Sequence, residues 1–212
     1  GEKLCVISFK CQCGYKGGKE PDDSDLRKVG EAKRAFKQLP LGAYPRDTIP
    51  HGDKFNELLR KGFTHFCQLF TERNLVALCI LQERIDQAIV EQPYHDLFKL
   101  AFSQTLAGAT KMCNDPISGW EAHAYWVPDQ MFEYNVWSYF KRNVKAIIEG
   151  KTDSKNTIGE KFKEAKNFND LKDCGTALIL TKSSTQLEEV PDGSIDVAIT
   201  DPPYGGNVNY TE

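Results

Sequence analysis

No run of apolar residues in this chain approaches the roughly 18 needed to cross a bilayer as a helix. Residues 1–10 also lack the charged start and apolar middle of a secretory leader. The expectation is a cytoplasmic protein without a membrane partner. An excess of positive charge is missing too: 27 Lys and Arg face 30 Asp and Glu, a formal net charge of -3. That balance argues against a large basic face of the kind that grips duplex DNA through phosphates alone, so any nucleic-acid affinity must be local or borrowed. The 7 cysteines are odd in number and follow no disulfide framework, which suits a reducing compartment. Cys67, Cys79, Cys113 and Cys174 read as small hydrophobes. His51, His65, His95 and His123 share no metal-ligand spacing and read as structural.

What is present is a globular composition: 212 residues, 40% hydrophobic and 27% charged, enough for one or two domains with real cores. Residues 1–40 open with the alternating segment 4–9 and the glycine-rich turn 11–18, which predict a small β-hairpin, followed by a helix from the acidic residues around Ser24 to about Gln38. Cys11 and Cys13 sit in the turn. Paired thiolates on one side of a hairpin suit a tetrahedral zinc ion, as the remnant of a zinc ribbon. A spacer of one residue and the absence of a second pair point instead to two ordinary thiols, and both readings stay open. Pro40, Pro45 and Pro50 then mark a connector.

Residues 41–150 read as a largely helical segment. Thr71 can cap a long amphipathic helix through Leu75, Val76, Leu78, Cys79, Leu81, Ile85 and Ile89. Two further helices are predicted at 97–109 and 130–148. The aromatic residues Trp120, Tyr125, Trp126, Phe132, Tyr134, Trp137, Tyr139 and Phe140 fit core packing better than base stacking, since Lys141, Arg142 and Lys145 are too few to form an electrostatic track. Residues 151–173, lysine-rich and balanced by acids, read as a solvated helix or linker.

From 174 to 212 the periodicity changes. Residues 177–181 and 195–200 are short and apolar, as central strands of a parallel sheet are, and the second ends at Asp201. Ligands of open α/β sheets bind beyond the carboxyl ends of strands. There stands Asp201-Pro202-Pro203-Tyr204, four fixed residues that a chain of this size would show by chance about once in a thousand. Its chemistry suits methylation of an exocyclic amine, whose lone pair is delocalised into the ring. The Asp201 carboxylate and the Pro202 carbonyl can each accept one amine hydrogen, drawing the nitrogen towards a tetrahedral geometry. The two prolines stiffen the backbone that carries these acceptors. Tyr204 offers a face to a base swung out of the duplex, and Gly205 and Gly206 let the backbone approach it.

Residues 195–210 resemble the catalytic motif of adenine-specific DNA methyltransferases, in particular a subgroup with a zinc ribbon and a helical insertion. Segments 62–66, 69–75 and 127–137 are similar to parts of that insertion. The resemblance implies an α/β fold, part of a Rossmann-like sheet dependent on S-adenosylmethionine, with a largely helical insertion and a small N-terminal β-hairpin. It further implies a flipped adenine in DNA as substrate and a role in restriction-modification or phage defence.

The family's glycine-rich donor loop is not found here: Gly14, Gly17 and Gly18 follow no buried strand and open no helix. The expectation is therefore an internal fragment that works with the remainder of a methyltransferase chain and is inactive alone. Asp rather than Asn in the first motif position disfavours RNA-base or protein-amide substrates. A non-catalytic, DNA-positioning role for the helical middle is the alternative of a different kind.

Overall fold

The computed structural model describes residues 4–113, 125–173 and 175–201. Two compact units are present, divided at Lys145.

The first unit begins with the predicted hairpin. Strands β1 (Ile7–Lys10) and β2 (Lys16–Lys19) pair antiparallel with Ile7 opposite Lys19. Helix α1 (Asp23–Lys37) follows. Its cap is Asp22 rather than Ser24: the Asp22 carboxylate accepts from the amides of Ser24 and Asp25, and the Asp25 carboxylate accepts from the Asp22 amide. A short helix missed by periodicity, α2 (Phe55–Arg60), buries Phe55 and Leu58 against Ile49, Leu69 and Val127. Too short to show a helical repeat, α2 is held by burial rather than by propensity.

Helix α3 (Glu72–Ala88) starts where the sequence places it, with the Thr71 hydroxyl accepting from the Asn74 amide. Leu75, Val76, Leu78, Leu81 and Ile85 recur at three- and four-residue steps and form its buried face. α1 and α4 (Gln92–Ala109) both pack on α3. The residues of α4 that are buried, Ala101, Thr105, Gly108 and Ala109, are small, and this lets other chain approach closely. The predicted third helix begins late: residues 130–135 are not helical, and α5 (Val136–Thr157) starts after Asn135, whose side chain accepts from the Ser138 amide. Phe132 and Tyr134 instead donate their amides to the carbonyls of Cys113 and Gly108.

Asn74 ties these parts together. Buried in the first turn of α3, it donates its side-chain amide to the carbonyl of Ala109 at 3.0 Å and to that of Tyr134 at 3.4 Å. Asn74→Ala leaves both carbonyls without this donor in a dry site, at a cost of about 2 kcal/mol. A urea denaturation midpoint lowered without a change of slope is the expected result.

The second unit overturns the expected fold class. In place of a Rossmann-like α/β sheet, the described residues hold only two-stranded ladders in a structure that is 47% helical. The unit's own ladder is parallel and two residues long, β3 (Glu164–Ala165) beside β4 (Ala177–Leu178), with α6 (Asp170–Asp173) between them. Residues 179–181 leave the ladder, and 195–200 form no strand. Ile195, Val197 and Ile199 are 57%, 73% and 94% exposed. A central parallel strand needs a hydrogen-bonded neighbour on each edge and helices over both faces. Among the described residues β3 and β4 form a ladder of two residue pairs, and 195–200 pair with neither strand. No helix among the described residues is long and apolar enough to cross a membrane.

Candidate functional site

The candidate site begins at Asp201, in the second unit, an exposed residue that follows the non-strand segment 195–200. Pro202, Pro203 and Tyr204 lie outside the described residues. Before Asp201 the backbone turns once at 191–194: the Ser194 amide and hydroxyl both donate to the Pro191 carbonyl, and Gly193 takes a left-handed φ of 68° that a side chain would resist. Upstream, the Lys182 ammonium holds the carboxylates of Glu188 at 3.1 Å and Glu189 at 2.6 Å, which closes the loop 182–189 on itself. These contacts, together with the β3–β4 ladder, are the local scaffold of the segment that carries Asp201.

Cys11 and Cys13 are both exposed in the hairpin turn of the first unit. The Cys11 amide donates to the Tyr15 carbonyl at 2.7 Å, and Gly14, at φ 92°, donates to the Cys11 carbonyl. The Cys13 amide, and then the Cys13 thiol, hydrogen-bond to the Cys11 sulfur and draw its pKa below that of an ordinary thiol. Two thiols are half of a tetrahedral zinc set. Among the described residues no group of three or more His, Cys, Asp or Glu side chains could hold a metal, so no further ligand is assigned to the pair. Nor does any strand among the described residues run into a helix through spaced glycines, and no residue is assigned to an S-adenosylmethionine site.

The histidines are kept apart. His51 lines an open cavity of about 570 Å³ with Asp53, Asn56, Leu59 and Arg60. Arg60 is already engaged there, 2.7 Å from Glu57. His65 bonds through Nδ1 to the Thr64 hydroxyl, and His123 lies outside the described residues. His95 joins α4 to α3 through Asp86, which it meets at 2.9 Å beside Lys99 at 3.1 Å.

Bonds from the Gln82 side-chain amide, then His95 and Lys99, hold the Asp86 carboxyl down at about 2. A depressed carboxylate pKa contributes stability above the unfolded value, near 3.9, and loses it as pH falls towards 2. Asp86→Asn should therefore melt slightly below the wild type at pH 5, with the gap closing by about pH 2. Thermal melts followed by circular dichroism across that range provide the check.

The aromatic cluster divides. Tyr139 and Phe140 are buried, as packing predicts, while Trp126 and Trp137 are exposed with Lys61 and Lys141 over their rings at 5.5 and 5.8 Å. Trp120 lies outside the described residues. The periodic pattern misses the polar fastening beneath this cluster. Glu133 accepts from Arg73 at 2.5 Å and from the Thr71 hydroxyl, and so pins the segment before α5 to the start of α3. Comparison with models of protein families, with curated proteins and with solved structures gives no match to this chain.

Proposed function

We propose that this chain carries the catalytic motif of an amino-group DNA methyltransferase that moves a methyl group from S-adenosylmethionine to N6 of an adenine flipped out of DNA. The observation that carries the reading is the run Asp201-Pro202-Pro203-Tyr204-Gly205-Gly206, directly after the apolar segment 195–200. The exposure of Asp201 supports it, because a base extruded from a duplex needs an accessible acceptor. The working place of such an enzyme is the cytoplasm, and its macromolecular partner is DNA.

The reaction asks little covalent chemistry of the protein. S-adenosylmethionine, when bound, supplies an electrophilic methyl group on sulfur. Asp201 accepts one N6 hydrogen and the Pro202 carbonyl the other, which localises the nitrogen lone pair as the nitrogen leaves the ring plane. Pro202 and Pro203 keep the two acceptors at a set spacing by restricting φ. Tyr204 takes the place of the stacking neighbours that the base has lost. Among the described segments no residue is assigned to the donor, so the full-length protein is the one to test.

The test is transfer of labelled methyl groups to unmethylated DNA by that full-length protein, followed by digestion to nucleosides. Labelled N6-methyladenine is the expected product. Label recovered in RNA or protein instead, or in no acceptor, overturns the reading, and the last result would favour a non-catalytic, DNA-positioning role.

A further inference from the structure

The second unit contains a set of cations that its carboxylates leave unused. Lys155, Lys161, Lys163, Lys166 and Lys172 are all exposed, and among the described residues none of the five ammonium groups is paired with a carboxylate. In the same unit Lys145 meets Glu149 at 3.5 Å and Lys182 meets two glutamates. Between 161 and 166 three lysines face one acid, Glu164, in a chain whose net charge is -3.

The backbone beneath these side chains is anchored although the ammonium groups are free. The Lys161 amide donates to the Ile158 carbonyl at 2.9 Å. The Lys163 amide donates to the Thr176 hydroxyl at 2.7 Å, and its carbonyl accepts from the Thr176 amide at 2.8 Å. The Lys166 amide donates to the Asp170 carboxylate at 2.9 Å. Asp170 is thus occupied in fastening the lysine-bearing turn, since it also accepts from the Asn167 amide. Phe162, 44% exposed, stands between Lys161 and Lys163. A run of chain with a fixed backbone, unneutralised ammonium groups and an exposed ring suits a polyanion with apolar sugar edges better than it suits an isolated small anion.

We propose that residues 161–166 form a contact for the phosphate backbone of duplex DNA. This inference rests on the methyltransferase reading, which makes DNA the partner, and adds where part of its electrostatic grip lies. Each ammonium would release a condensed counterion on meeting a phosphate, without reading sequence.

The experiment is fluorescence anisotropy of a labelled unmethylated duplex with the full-length protein, titrated at several NaCl concentrations. The triple variant Lys161→Gln, Lys163→Gln, Lys166→Gln is compared with the wild type and with Lys182→Gln, whose ammonium is already held by two glutamates. The slope of log K against log salt should become shallower by about 0.9 for each phosphate that is no longer neutralised, close to 3 for the triple variant, with affinity down at least tenfold in low salt. Lys182→Gln should leave the slope unchanged. Because all three side chains are exposed, matching circular dichroism spectra confirm that the fold is retained. An unchanged slope in the triple variant, no binding of duplex by the wild type, or preference for an RNA hairpin over the duplex overturns the proposal. A protein that methylates DNA yet keeps its salt slope in the triple variant refutes the contact alone. Salt-sensitive binding through these lysines with no methyl transfer refutes the catalytic reading alone.

Discussion

Asp201→Ala should reduce methyl transfer to adenine by at least about 100-fold while leaving the affinity for DNA within about twofold. The asymmetry follows from what the carboxylate would do. It accepts a hydrogen from an amine whose basicity is low because its lone pair belongs to the ring, and this bond strengthens as the nitrogen becomes tetrahedral and positively charged. An interaction of that kind acts mainly in the transition state, so its removal appears in kcat rather than in KM. Asp201→Asn separates charge from geometry: the amide oxygen still accepts, but the negative charge that offsets the developing cation is gone. An intermediate rate is expected. DNA binding should survive both changes, since a carboxylate contributes nothing favourable to phosphate contact and its removal lowers repulsion. Single-turnover rates with labelled donor, set beside anisotropy titrations, measure the two quantities separately. Full transfer by Asp201→Ala would remove this residue from the chemistry.

How much of the molecule could be read in advance differs from one segment to another for physical reasons. α3 was legible because one residue type at one position, Thr71, both stops the preceding chain and satisfies an amide of the helix, and because the apolar repeat after it is long. The start of α5 was not. Met131 and Tyr134 carry the right spacing for a helical face, but the backbone of 132–134 is committed to Cys113 and Gly108, partners that only the fold brings near. Residues 195–200 mislead in the opposite sense. Their composition says buried strand, yet a strand is a property of its neighbours, and here a ladder of two residue pairs leaves Ile199 almost fully exposed. The reading of Asp201 rests on its proline neighbours in the sequence, which lie outside the described residues. The free lysines were not legible: counting charges between 151 and 173 suggests neutrality, whereas pairing depends on which groups meet, and Asp170 is spent on backbone amides.

Two helical glycines should respond to alanine with opposite signs. In an exposed helix the change from Gly to Ala gains up to about 1 kcal/mol by restricting the backbone of the unfolded chain. At Gly30, in α1, a Cβ would meet nothing nearer than the end of Arg34, at 3.8 Å, so this gain should appear in full. At Gly108, in α4, a Cβ would lie 2.6 Å from two atoms of the Tyr139 ring and 2.9 Å from a third. The ring has little room to yield. Arg142 covers one approach, with its guanidinium 4.0 Å from the ring centroid, and the Tyr134 ring lies 4.7 Å away. Moving Tyr134 would strain the bond from its amide to the carbonyl of Gly108 itself. Overpacking of this kind costs about 1–3 kcal/mol, which exceeds the propensity gain. Gly108→Ala should therefore lose about 1 kcal/mol net, while Gly30→Ala raises the denaturation midpoint. Adding Tyr139→Leu gives the decisive comparison: with the ring removed, alanine at 108 should be neutral or better, and a coupling energy of about 2 kcal/mol should appear in the double-mutant cycle. Additive effects would mean that the contact between Gly108 and Tyr139 is not what excludes a side chain there.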